Sequence, residues 1–427
     1  MEFKLTLLYN KHRHGMEYND MFKNTKFLLT LITLLMVAGF VVAQDDMGDD
    51  DMGEMGPSVM VSPEEVVRLG YAGALSGEGL VQLGVDIQRG MELALDDRPT
   101  VTVDGVEFEV MMDAQDDMCS PEGGQTVANR FVSDESIVAL VGPMCSSACE
   151  ASAPIFDEAM YSVVSASCTA ANLTQNDSFS FNRTVGSDGA QGAIAARYIF
   201  EELGAERIAL IDDSSAYGVG LADVIEAEFE ALGGEVVARD GISVGDTDFR
   251  ALLQDILLED PDLIHFSGFP AEGARLLDQR FDVGLEDVPF MSADGLRVNE
   301  TIELAGESAE GLIVTAPIPA EGEALDEYLQ QFEETYNEAP ATAFNSNAYD
   351  ATNLILDAVE AVGYVDDRGD LVVERIALQE YIRSAEFSGV TGEYACDGTG
   401  ECAVVSVGVS QVQDGEFELL TTITTID

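Results

Sequence analysis

Tryptophan is absent and histidine nearly so: the 427 residues hold no Trp and 3 His, of which only His265 lies beyond residue 14. One imidazole in the body of the chain excludes, by count, multi-histidine metal centres and nucleophile–histidine–acid triads. Within the apolar run 262–267 it reads as a core residue. Lysine stops at Lys26, since Lys4, Lys11, Lys23 and Lys26 are the only ones. With 20 Lys and Arg against 80 Asp and Glu, the formal charge is −60, which excludes phosphate-driven binding to nucleic acid. No C-x-x-C pair is present, so a zinc site is not expected. Gly77, Gly79 and Gly84 lack the dinucleotide spacing and no lysine follows them for a nucleotide, so no cofactor is expected either. Only carboxylates remain for acid–base chemistry, and any chain this acidic displays those; the reading is a binding protein, not an enzyme.

Long apolar runs are equally scarce, and the one at residues 27–43 follows a basic start at 21–26 and ends in Val41-Val42-Ala43. Those are the parts of a cleaved export signal, which makes Met21 the expected initiator and residues 1–20 an upstream extension. An uncleaved anchor is the alternative, although the run is slightly short for a full span. No cysteine follows the run to take a lipid. Residues 44–65 mix acids, Met and Gly without an apolar period and read as a disordered acidic tether. The acids continue along the whole chain. Such self-repulsion is screened when the Debye length falls to about 3 Å near 1 M salt, so the charge reads as adaptation to high salt. A surface reserved for a basic partner is the alternative.

What the sequence does contain is α/β alternation long enough for two domains. The stretch 137–174 gives an apolar strand, a small-residue turn, a helix, a second strand and a second such turn. Ser146 or Ser147 is placed to cap the helix, with Glu150 completing a capping box after Ser147. Ser167 and Thr169 follow the second strand. Free amides and hydroxyls beyond the carboxyl ends of parallel strands form a crevice suited to an anion. Before this stretch come a strand at 66–74, a Gly-rich turn into a helix ending near Leu95, and a strand at 106–114. After it come RIALIDDSSAYGVGLADV, a GDTDF turn with Asp246 or Asp248 as cap, the strand ending in Gly268-Phe269-Pro270, and VPFMSADG. A long amphipathic helix over AFNSNAYDATNLILDAVEAVG and a final hairpin at 403–422 close the chain. Six cysteines in an exported chain favour disulfides, with fifteen connectivities open. Proximity in the strand order favours Cys149–Cys168, pinning the helix against the second turn, and Cys396–Cys402, closing a small loop.

The GPMCSS, YGVGLA and AYDA strings, with the strand–turn–helix order around them, resemble the leucine/isoleucine/valine-binding family of ABC-importer receptors over most of the chain after residue 65. The resemblance implies the type I periplasmic binding-protein fold, a clamshell of two Rossmann-like lobes with parallel sheets and a three-segment hinge. Lobe 1 would comprise 66–187 and 317–402, and lobe 2 would comprise 188–316 and 403–427. It implies that Ser146 and Thr169 hold a ligand carboxylate, with a backbone carbonyl near Ser167 meeting an ammonium. It places Tyr217 and Phe269 on the opposite wall, Phe269 where the family has tyrosine, and Asp294 as the ammonium partner in place of glutamate. Leu83 stands where several amino-acid receptors carry an aromatic ring. It also implies a Cys119–Cys145 disulfide. The function implied is extracytoplasmic capture of a small amino acid, branched-chain type favoured, or a related carboxylate or amide, by a monomer that delivers it to an ABC permease and ATPase. The alternative is the same clamshell reporting ligand to a membrane receptor.

Overall fold

A computed structural model describes residues 57–424 apart from 78, 177, 404 and 405. The upstream extension, the export signal and the tether as far as residue 56 lie outside the described residues. The described chain is built on two large sheets. The first has the strand order Thr100–Val103, Val106–Asp116, Val67–Gly73, Ile137–Val141, Ser162–Ser165, Phe181–Arg183. All pairs are parallel except the first, where the two-residue turn Asp104-Gly105, with φ of 50° and 80°, makes a hairpin. Ile137–Val141 is apolar throughout and buried throughout, as a strand covered on both faces must be.

Helices cover those faces. Val81–Asp97 packs along Phe344–Val362 on one side, and Pro121–Ser133 packs on Ser146–Glu158 on the other. The first pair approaches so closely that a Cβ on Gly90 would stand 1.9 Å from the Asn345 carbonyl oxygen, which requires glycine there.

The second sheet runs Glu416–Thr424, Ser406–Gln413, Ile313–Pro317, Phe290–Ser292, Leu263–Ser267, Arg207–Asp212, Glu235–Gly241. The last five strands are parallel and the C-terminal hairpin adds antiparallel to them. His265 lies fully buried in this sheet, where burial and the Arg239 charge lower its pKa to about 3. The chain passes between sheets three times: after Phe181–Arg183, after Ile313–Pro317, and between Glu401, which bridges to Arg183 in the first sheet, and Ser406–Gln413 in the second. This is the expected α/β class with two parallel-sheet lobes.

Two local expectations change. Residues assigned to the tether include the strand Ser58–Val61, paired antiparallel with Leu371–Glu374. Val59 and Val61 point inward there and are buried, so two alternating valines outweigh the acidic, glycine-rich composition around them. The serine cap of Ser146–Glu158 does not form either. Helical geometry begins at Ser146 itself, Cys145 is the N-cap, and no side chain caps the end. At the other predicted cap Asp248 accepts from the Arg250 amide at 3.2 Å, while Asp246 accepts from Ser243 at 3.0 Å. Among the described residues no helix is long and apolar enough to cross a membrane.

Candidate functional site

Each parallel sheet has a point where strand order reverses. In the first it lies between Val67–Gly73 and Ile137–Val141, and in the second between Arg207–Asp212 and Leu263–Ser267. Loops leaving the carboxyl ends of flanking strands diverge at such a point and leave a crevice. Leu83, Ser146 and Tyr217 follow three of these four strands, and Phe269 follows the fourth.

The serine hydroxyls released from capping take amides of other elements, and that of Ser147 crosses the cleft. Ser146 Oγ accepts from the Ala170 amide at 3.2 Å, tying the helix start to the second turn, and its proton is left to donate. Ser147 Oγ accepts from the Ala216 amide at 3.0 Å, reaching the other lobe. Ser167 donates to the Met144 carbonyl at 2.8 Å. The first amides of Ser146–Glu158 have no partner within the helix and open on the same space.

Three disulfides brace this wall: Cys119–Cys145, Cys149–Cys168 and Cys396–Cys402. Arg183, fully buried, adds a fourth brace that the sequence did not signal. Its guanidinium donates to the carbonyls of Cys168 and Ala170 at 3.1 and 2.9 Å and pairs with Glu401, joining the loop closed by Cys396–Cys402 to the turn that carries Ser167 and Thr169.

Facing it, the rings of Tyr217 and Phe269 lie tilted with centroids 5.4 Å apart. The Tyr217 hydroxyl donates to Asp294 Oδ1 at 3.0 Å and accepts from the Gly295 amide at 3.2 Å. Gln191 Nε2 donates to the same carboxylate oxygen at 2.6 Å. Burial raises the Asp294 carboxyl to about 6 against the pull of these two donors. It raises the Tyr217 phenol as well, with the Asp294 and Asp188 charges adding to the effect.

All seven ligand-binding candidates line one cavity of about 350 Å³, counted with its mouth: Leu83, Ser146, Ser167, Thr169, Tyr217, Phe269 and Asp294. Ile87, Met144 and Phe344 complete its apolar lining. The lining is apolar with a few convergent polar groups, the composition of a small-molecule site. Sequence reasoning passed over Gln191 and Asp188. In DGAQGAIAAR nothing marks either as buried; their near-complete burial appears only in the fold. The lobes also touch outside the cavity, where Glu300 Oε1 accepts from the Gly79 amide and the Glu300 amide donates to Gln82, both at 3.1 Å.

The family model described as "Periplasmic binding protein" matches residues 66–416. The Leu-, Ile-, Val-, Thr- and Ala-binding protein of Pseudomonas aeruginosa is 29% identical over 339 residues, covering 79% of this chain and 87% of its own. The Leu/Ile/Val-binding protein of Escherichia coli K12 is 29% identical over 352 residues, covering 81% and 90%. Among solved structures, the leucine-binding protein LivK of Thermotoga maritima superposes with a TM-score of 0.76 at 28% identity, over 84% of this chain and 99% of the other. The LivJ substrate-binding protein of Streptococcus pneumoniae, solved with isoleucine, gives 0.73 at 23% identity over 84% and 99%, a likeness of fold.

Proposed function

The chain belongs to the periplasmic binding protein family, and on that premise we propose that it is an exported receptor that captures a small α-amino acid, branched-chain type favoured, and delivers it to the permease and ATPase of an ABC importer. One observation carries the reading: hydroxyls and a helix start face a buried carboxylate across a single small apolar cavity. A zwitterion satisfies both ends. Its carboxylate takes Ser146, Thr169 and the free amides, its ammonium takes Asp294, and its side chain lies among Leu83, Ile87, Met144, Phe269 and Phe344. A carboxylate without an amine would add a second negative charge to the cavity with only the neutral donors Gln191 and Tyr217 at Asp294 and no cation, at a cost of several kcal/mol. The names of the relatives, which bind leucine, isoleucine and valine, support the aliphatic side chain.

Binding performs work because the two walls belong to different lobes. A ligand touching both favours the closed arrangement and shifts the hinge equilibrium by its differential affinity. No bond is made or broken in this scheme. The test is calorimetry in molar salt with leucine, isoleucine, valine and 4-methylpentanoate, which is leucine without its amine. The amino acids should bind one to one and 4-methylpentanoate at least about 100-fold more weakly. Equal affinity for 4-methylpentanoate would refute the ammonium role of Asp294, and no binding by any of them would refute the amino-acid reading.

A further inference from the structure

Close to Asp294, four buried oxygens lack a well-formed hydrogen bond: both carboxylate oxygens of Asp188, which have only the Thr169 hydroxyl beside them, the Gln191 amide oxygen and the Thr315 hydroxyl. They form one cluster. Asp188 and Gln191 stand three residues apart on the helix Asp188–Arg197, and the Gln191 amide nitrogen that bonds Asp294 also reaches the Thr315 carbonyl at 3.4 Å. Asp188 is 0% exposed. The buried aspartates of the first lobe show how this chain normally houses a carboxylate. Asp86 accepts from the amides of Ala341 and Thr342, the Thr342 hydroxyl and the Asn345 amide. Asp350 accepts from the amides of Val390 and Thr391 and from the Thr391 hydroxyl. Asp117 accepts from the amides of Cys119 and Met144. Only Asp188 among these four lacks such a set.

The elements packed around Asp188 bring it almost no compensating charge. The site turn offers the Thr169 hydroxyl, the helix carrying Tyr217 offers a neutral phenol, the strand Ile313–Pro317 offers Thr315, and the turn after Phe290–Ser292 brings a second carboxylate, Asp294. The one cation among the described residues near it is Arg183, whose guanidinium is already committed to Glu401 and two carbonyls. Two ionised carboxylates buried close to one another would repel, and apart from the committed Arg183 only neutral donors face them. A divalent ion would need more ligands, and among the described residues no group of three or more His, Cys, Asp or Glu could hold a metal.

We propose that Asp188 and Asp294 hold one proton between them while the cavity is empty, and that an ammonium-bearing ligand displaces that proton to solvent as its own charge takes over. The inference rests on the ammonium reading of Asp294. Burial and the Asp294 charge both push the Asp188 carboxyl well up, while Thr169 and Arg183 pull the other way. The charges balance at the acidic end: one proton leaves the pair, one ammonium arrives, and the ligand carboxylate is met separately by the hydroxyls and amides of the other wall. Asp188 does not line the cavity. It acts as a positioning residue that sets the protonation state of the carboxylate near it, and it ties capture to pH. Affinity then rises with pH, by up to about tenfold per unit wherever one proton is released per ligand.

The test is calorimetry of the full chain with L-leucine, L-isoleucine and L-valine at pH 6 and 7, in phosphate and in imidazole at equal molar salt. Proton release appears as a binding heat that differs between the two buffers, with affinity lower at pH 6. Asp188→Asn, which keeps the shape and removes the proton site, should lose both signatures; Asp188→Asn binding with the wild-type buffer difference would overturn the assignment. Binding by the wild type with identical heats in both buffers would overturn this inference alone, whatever the variant does. Affinity that instead follows the identity of the salt cation, with no buffer difference, would overturn it by putting a monovalent metal ion in the proton's place. Absence of any binding heat would remove the ammonium reading and this inference together.

Discussion

On the proposed reading Asp294 takes the ligand ammonium while the Asp188 carboxyl stands near it, so its replacement separates binding from stability. Removing the partner of a buried charge costs about 3–5 kcal/mol. Asp294→Ala should therefore weaken leucine binding by at least about 100-fold, while the empty variant unfolds no more easily than wild type because one of two crowded carboxylates is gone. Thermal melts alongside titrations check both halves. The carboxyls of Asp117 and Asp213 are also raised, each to about 6 by burial. A carboxyl whose folded-state pKa lies above its unfolded value stabilises the fold below the unfolded value, near 3.9, and loses that contribution as pH climbs through the folded value. The melting temperature of the empty protein should consequently fall between pH 5 and 7, and Asp188→Asn should flatten the slope. A melting temperature rising over that range would contradict the upward shift that burial gives these carboxyls. At this scale the legible residues were those in loops that follow apolar strands, because strand ends announce themselves. Arg183, Asp188 and Gln191 were not legible, since an arginine, an aspartate and a glutamine in a polar stretch read equally well as solvent-facing. Only their tertiary neighbours show otherwise.

At the scale of elements, hydrogen bonds join the two lobes across the cleft. Glu300 supplies two of them, to Gly79 and Gln82, and the Ser147 contact to Ala216 supplies a third. Glu300→Ala removes one acceptor at a partly exposed site, worth about 0.5–1.5 kcal/mol. Ligand release should quicken about 2- to 10-fold with little change in capture rate, as stopped-flow measurement would show; a slowed capture at unchanged release would reassign Glu300 to the open state. The strand Ser58–Val61 was missed because four residues carry too short an alternation to stand out from their acidic surroundings. Its packing makes a prediction: Val59→Asp puts an unpaired charge against the first core and should lower stability by about 3 kcal/mol, read from urea unfolding. The serine cap was misjudged for a different reason. Sequence pattern weighs the local amide, whereas here the Ala170 and Ala216 amides from other elements take the hydroxyls.

Over the whole molecule, lobe order and sheet type followed from strand–helix alternation and from strings shared with relatives, while closure depends on forces spread over the surface. Acids lie on both lobes, and shutting the cleft brings like charges together, so salt should aid folding and capture alike. Unchanged melting after dialysis from molar to low salt would count against that adaptation. The central claim is that two lobes grip one zwitterion, one through hydroxyls and a helix start, the other through a ring pair and an acid. The most direct measurement is calorimetric titration of the Ser146→Ala, Thr169→Ala double variant with leucine in molar salt, beside wild type. Each lost hydrogen bond to a charged group is worth about 1.5–3 kcal/mol, so affinity should fall by at least about 100-fold with the melting curve of the empty protein nearly unmoved. Wild-type affinity in that variant would mean the ligand carboxylate rests elsewhere.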